Sequence, residues 1–231
     1  MTQFLVSVTN VQEAKIALEH GVDIIDLKDP SAGALGALPH ATIKSIVAFV
    51  DGAKPVSATV GDLSMNNSLQ IQELVEAVLH LVEAQVDFIK IGFYVADDYQ
   101  PCLKALKKII KMCVPKTVKL IAVLFAEYEY PASLMHETQA AGFVGVMIDT
   151  AEKNGKIYSD YQSIETTQSF ANAAKARDLS FGLAGSLSLK NIEAAKAFKP
   201  NYLGFRGGVC DENVRQAGLN IHKISEIRQL L

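Results

Sequence analysis

Short apolar, β-rich runs alternate with amphipathic helical patterns from one end of the chain to the other. Residues 4–8 read as a first strand, and Val11, Ala14 and Leu18 then recur on one helix face before Gly21 closes the helix. Residues 23–29, Asp-Ile-Ile-Asp-Leu-Lys-Asp, alternate with period two, which predicts a strand with Asp26 and Lys28 on one face and Ile24 below them. A glycine-containing connection over residues 30–39, longer than a strand-to-helix loop needs, leads to a helix through Ile43, Ile46, Val47 and Val50. The third strand falls at residues 55–61, and the next helix carries Ile71, Leu74, Val75, Val78 and Val82. Residues 87–93 form a fourth strand with Lys90 in its middle, followed by a helix with Leu103, Leu106, Ile109, Ile110 and Cys113 on its apolar side. The lysines on the other side of that helix are a solvated face.

Residues 119–126 are almost continuously apolar, as in a parallel strand covered on both faces. A helix over residues 132–141, a sixth strand at 145–150, a helix at 164–176 and a seventh strand at 181–184 follow. The last elements are a helix at 189–198, a strand at 202–206 and a helix with Ile221, Ile224, Ile227 and Leu231. These make eight β-plus-α units with a period of about thirty residues and no linker, as expected of one (β/α)8 TIM barrel domain spanning residues 1–231. An open doubly wound sheet would need edge strands, and its first turn would usually carry G-x-G-x-x-G; Ser7-Val8-Thr9-Asn10 has no glycine.

Composition narrows the partners. A net charge of -3, a pI near 6.0 and scattered lysines give no footprint for nucleic acid. Cys102, Cys113 and Cys210 have neither disulfide nor zinc spacing, which points to a reducing compartment. The N-terminus enters a strand with no basic region before it and no segment has the length of a membrane span, so a soluble cytoplasmic protein, able to form a homo-oligomer, is expected.

In such a barrel catalytic groups gather at the C-terminal ends of the strands, and the even-numbered strands bring Lys28, Lys90, Asp149 and Arg206. Lys28, Lys90 and Asp149 are expected to converge there, with Asp26 one layer beneath Lys28. The plainer reading makes each lysine a structural ion-pair partner, but two lysines inside one small barrel favour chemistry. An amine attacks a carbonyl only when unprotonated, and a neighbouring cation with partial desolvation brings a lysine down from about 10.4 toward neutrality. Lys90 is placed to be that cation for Lys28, while Asp26 and Asp149 orient amines and relay protons. The turns after the seventh and eighth strands, with Gly185, Ser186, Arg206, Gly207 and Gly208, lie where barrels hold a substrate phosphate, although glycines also simply make tight turns. The five histidines have no metal-ligand spacing, Glu127 and Glu129 are opposed as metal ligands by the lysines, and Ser186 lacks a nucleophile elbow, so no metal is expected.

With these residues in place the chain resembles, over nearly its whole length, the (5-formylfuran-3-yl)methyl phosphate synthases, also called 4-(hydroxymethyl)-2-furancarboxaldehyde-phosphate synthases. The resemblance rests on Asp26-Leu27-Lys28-Asp29-Pro30, Gly33-Ala34-Leu35-Gly36-Ala37, Lys90-Ile91-Gly92, Asp149-Thr150 with Lys153, and Leu183-Ala184-Gly185-Ser186-Leu187. It implies that Lys28 forms the Schiff base, that Lys90 accepts a proton, and that Asp26, Asp149 and Lys153 share the site. The implied reaction joins two molecules of glyceraldehyde 3-phosphate on the way to methanofuran, with loss of one phosphate and two waters and without a cofactor or metal. Another Schiff-base aldolase acting on a sugar phosphate, and a non-catalytic sugar-phosphate-binding barrel, are the alternatives; a binder has no need of amines buried in mid-strand.

Overall fold

Eight runs with apolar side chains on both faces pair in parallel, each with the next, and the last returns to the first. The computed structural model describes residues 1–94 and 98–231. Its strands are β1 Gln3–Val8, β2 Ile24–Leu27, β3 Val56–Thr59, β4 Phe88–Phe93, β5 Lys119–Phe125, β6 Gly145–Asp149, β7 Ser180–Leu183 and β8 Tyr202–Phe205, closed as a barrel by the pairing of β8 with β1. The helices of the described residues are α1 Val11–Glu19, α2 His40–Val50, α3 Ser68–Glu83, α4 Tyr99–Cys113, α5 Leu134–Ala141, α6 Ile164–Lys175, α7 Ile192–Lys196 and α8 Ile221–Leu230. This is the (β/α)8 barrel that the alternation of patterns predicts. Several helices start at a side-chain cap: Asn10, Asn67, Ser163 and Asn220 each accept a backbone N–H from the first turn.

The apolar residues divide between two cores. Outward-facing strand residues such as Val6, Ile25, Leu27, Ile89 and Ile91 pack under the helices in the larger core. Leu5, Ile24, Ile121, Val123, Phe125, Met147 and Tyr202 fill the barrel axis. Each buried Leu, Ile, Val or Phe side chain contributes about 1.5–3 kcal/mol, so the outer core supplies most of the stability and the axis can hold polar groups.

Two elements differ from the sequence pattern. The helix expected at residues 189–198 opens as a 3-10 turn, Leu189–Asn191, before α7. Asn191 Oδ1 accepts both the Ser188 N–H and hydroxyl, drawing the chain into that tighter turn. In α1 the buried face is Glu13, Ala14 and Ala17, with Leu18 only half-buried. An acid takes the inner position because its partner is a buried arginine.

The long β2–α2 connection folds back on itself, with the Asp29 N–H donating to Gly36 O at 2.8 Å. Asp62 holds its turn by accepting the N–H groups of Ala34 and Leu35, each at 2.8 Å. Gly33, at φ +110°, is required there, since a Cβ would run into the Asp62 carboxylate. Ala34 and Leu35 join the axial cluster, and Leu35 approaches Gly92 so closely that a Cβ would lie 2.7 Å from its Cδ1. The connection therefore roofs the β4–β5 side of the barrel.

At the other end of the axis Tyr202 lies across Gly182, where a β-carbon would overlap its ring. Gly182→Ala should destabilise the barrel by about 1–3 kcal/mol through overpacking. Combined with Tyr202→Ala it should cost less than the two single losses summed, as read by chemical denaturation. Simple additivity would show that the ring does not meet the new methyl group.

Candidate active site

Asp26 is fully buried on β2, and the strand register sets Ser7 on β1 and Ser57 on β3 beside it. The two hydroxyls donate to its oxygens at 2.7 and 2.6 Å. Lys90, on β4, completes the carboxylate's surroundings with Nζ 2.6 Å from Asp26 Oδ1. The pairing is thus across the barrel rather than along β2 to Lys28. Burial alone would push the Asp26 carboxyl up, but the Lys90 and Lys28 charges and the hydrogen bonds hold it below its ordinary value. Lys90 is itself held below the ordinary lysine range, because loss of hydration and repulsion from Lys28 outweigh its attraction to the acid.

Above this layer Asp149 ends β6 and is almost wholly buried. One oxygen accepts from Lys153 at 2.9 Å, while the other faces Lys28 Nζ at 3.5 Å. A charge-assisted hydrogen bond is about 2.7–2.9 Å long, so Lys28 is the less committed amine. Lys153 also donates to Thr150 Oγ1 at 3.1 Å. Asp149 is held well below the usual carboxylate range: burial opposes ionisation, but the Lys153 and Lys28 charges and the Thr150 N–H overcome it. Burial, with Lys28 nearby, keeps Lys153 below its usual value.

Asp26, Lys28, Lys90, Asp149 and Lys153 share one cavity of about 580 Å³ at the C-terminal mouth, a size suited to small metabolites. A larger cavity, about 970 Å³, opens at the other end of the barrel, but it reaches only Lys90 of these five. Gly185, Ser186, Gly207 and Gly208 line the mouth cavity, and among the described residues their backbone N–H groups have no protein acceptor. Gly185 and Ser186 take left-handed φ of 93° and 56°, which turns the chain across the mouth. Gly208 is demanded by packing as well, since a Cβ there would strike the Leu187 carbonyl.

Arg206 differs from its expected place as a phosphate ligand. All five N–H donors of its guanidinium are engaged within the protein, by Arg215 O, Ser7 O, both Glu13 oxygens and Ala217 O. Strand phase placed Arg206 at the mouth but could not show that its side chain turns outward to α1. Sequence reasoning also missed Ser7, Ser57 and Glu13, although polar residues where an apolar one is expected are the available signal. Arg215, half-buried at the mouth, was missed because it lies in a segment without periodicity.

With Arg206 neutralised by Glu13, the cavity lining presents Lys28, Lys90, Lys153 and Arg215 against Asp26 and Asp149. Four basic side chains face two carboxylates, so the site favours an anionic guest. Glu127 and Glu129 do not join it: Glu127 caps the Glu152 N–H at 2.9 Å. Among the described residues no group of three or more His, Cys, Asp or Glu side chains is arranged to hold a metal ion, and no helix is long and apolar enough to cross a membrane.

A family described as 4-HFC-P synthase matches residues 4–228. A relative from Methylorubrum extorquens, provisionally named (5-formylfuran-3-yl)methyl phosphate synthase, is 37% identical over 224 residues, covering 97% of this chain and 89% of its own. The (5-formylfuran-3-yl)methyl phosphate synthase of Methanosarcina mazei is 32% identical over 215 residues, or 90% of each chain. Among solved structures, the 3-hexulose-6-phosphate synthase of Salmonella typhimurium superposes with a TM-score of 0.64 at 16% identity, covering 100% of this chain and 98% of that one. That likeness concerns the barrel fold alone.

The ion pairs at Asp149 make a pH-dependent contribution to stability. Its folded-state pKa lies below the unfolded value of 3.8, so the contribution is fully present above 3.8 and is lost as pH falls through the folded value. Asp149→Asn should cost about 3 kcal/mol near neutral pH, because it leaves two buried ammonium groups without their carboxylate. Denaturation at a series of pH values should show this difference shrinking below 3.8. A difference that stays constant on acidification would place the effect elsewhere.

Proposed function

The chain belongs to the 4-HFC-P synthase family, and from that premise we propose that it makes (5-formylfuran-3-yl)methyl phosphate from two molecules of glyceraldehyde 3-phosphate, for methanofuran biosynthesis. One phosphate and two waters leave as the furan closes. The observation that carries this reading is the contrast between the two buried lysines: Lys90 is bound to Asp26 at 2.6 Å, while Lys28 meets Asp149 only at 3.5 Å, inside a cavity richer in basic than in acidic side chains.

Lys28 Nζ attacks the aldehyde carbon C1 of one triose phosphate, and the carbinolamine loses water to give a protonated imine. The imine acidifies the proton on C2. Lys90, held toward its free-amine form by burial, accepts that proton, and the C2–H electron pair becomes the enamine. Asp26 then holds the Lys90 ammonium, with Ser7 and Ser57 fixing the carboxylate's position. Collapse of the enamine re-forms the iminium with a C2–C3 double bond and expels phosphate from C3 with the C3–O pair. Loss of phosphate leaves an enol whose C3 attacks C2 of the second triose phosphate in its ketone form, reached by moving that triose's C2 proton to C1, and the enol proton passes to the new alkoxide; this bond puts the retained phosphomethyl group on the branching carbon. Asp149 stands beside the imine nitrogen with Lys153 on its other oxygen, and the pair exchanges protons with departing hydroxyl groups. The unused amide donors of Gly185, Ser186, Gly207 and Gly208 suit the phosphate that the product retains.

Incubation with glyceraldehyde 3-phosphate should yield a product with the mass and ultraviolet absorption of the furfural phosphate. A plain aldol adduct, lacking furan absorption, would instead mark another Schiff-base aldolase. Borohydride added during turnover should leave a covalent adduct on Lys28, and Lys28→Arg should abolish it while the chain still melts cooperatively. An adduct on Lys90 alone would reverse the two roles. Lys90→Gln, which retains a donor toward Asp26, should lower kcat by about 10²- to 10⁴-fold with little change in KM. Normal turnover in that variant would leave Lys90 a structural partner of Asp26.

A further inference from the structure

The proposed reaction handles two phosphates, and the mouth holds two kinds of anion-binding group. The amides of the β7 and β8 turns are neutral dipoles, whereas Arg215 and Lys153 are cations on the same cavity. Arg215 takes part in no ion pair among the described residues, and the one hydrogen bond of its guanidinium there is from Nη2 to Gly33 O at 2.9 Å. Among the described residues the remaining donors of its fork are unused. Its backbone is held firmly: Arg206 Nε donates to Arg215 O at 2.7 Å and Nη2 to Ala217 O at 3.0 Å, while Glu13 neutralises Arg206 at 2.6 Å. The hydrogen bond to Gly33 ties the same segment to the β2–α2 roof.

We propose that Arg215, with Lys153, is the seat of the phosphate that leaves, and that Arg206 with Glu13 is a positioning strut that sets Arg215 at the mouth. The proposal rests on the reading above, that triose phosphate loses phosphate here. As the C3–O bond breaks, its electron pair stays on the phosphate oxygen and the leaving group gains negative charge. A fixed planar fork that binds this growing charge acts more strongly in the transition state than on the intact ester. Neutral amides hold a phosphate whose charge does not change. The two kinds of donor thus match the two fates, retention and departure.

The test uses inorganic phosphate as the probe, with the intact chain. Arg215→Gln should lower kcat by about 10²- to 10³-fold and weaken inhibition by inorganic phosphate about tenfold or more, while borohydride still traps the imine on Lys28. Arg215→Lys should recover part of both losses. Arg206→Lys keeps a charge for Glu13 but loses the fork, and it should weaken phosphate inhibition while preserving imine trapping. In the unsubstituted chain, inorganic phosphate should slow modification of Arg215 by phenylglyoxal, a readout independent of how any variant folds. Unchanged turnover and phosphate inhibition in Arg215→Gln, or no protection of Arg215, would overturn the proposal while furan formation by the unsubstituted chain left the reaction standing. If the unsubstituted chain neither traps triose phosphate nor releases phosphate, the reaction and this proposal fall together.

Discussion

A carboxylate with no exposed surface stays ionised at the centre of this barrel, and the site is built on the groups that allow it. Asp26 is compensated from three strands by Ser7, Ser57 and Lys90. Such a pair adds little net stability, because desolvating two charges costs about as much as their attraction returns. What it supplies is position: Lys90 is fixed to a strand-borne oxygen and held toward the free amine. The outer core under the helices lets the axis carry this polar layer.

The mouth above that layer is asymmetric for a local reason. Asp62 gathers the Ala34 and Leu35 amides, and Tyr94 adds its hydroxyl at 2.6 Å to the same acid. The resulting turn lays apolar side chains over the β4–β5 side, so the cavity opens toward the β6–β8 loops. A substrate reaching Lys28 therefore meets Asp149 and Lys153, then the turns of Gly185 and Gly208. A length of connection that looked excessive in sequence is a roof, and the Gly33 to Gly36 stretch owes its glycines to close approaches by Asp62 and Asp29.

The barrel was legible because each strand announces itself by a short apolar run and each helix by a 3.6-residue stripe, and because an eight-unit count has one closed solution. Lys28, Lys90 and Asp149 were legible for a related reason: period two alone decides which side chains share the axis. What period two cannot decide is which cation pairs with which acid. Asp26 and Lys28 share a face two residues apart, yet Asp26 bonds to Lys90, whose position depends on the stagger between strands. Arg206 had the right phase and left the axis because the strand ends at Phe205 and Glu13 offers a buried partner. Arg215 sits in a stretch with no period at all, and only folding brings it to the mouth.

That last pair shows how the fold divides labour between two arginines. Arg206 has used every donor, so its contribution is to fix backbone carbonyls nine and eleven residues away. Among the described residues Arg215 has used one donor, so the rest of its fork is open to a ligand. Had both been free, the mouth would carry still more uncompensated positive charge and a loop without an anchor. Had both been saturated, Lys153 would be left to hold the phosphate at that side of the mouth, and it is already shared with Asp149. In the proposed reaction, saturating the inner arginine to leave the outer one open would give the departing phosphate a rigid seat, and growing charge is where a preorganised cation lowers a barrier most.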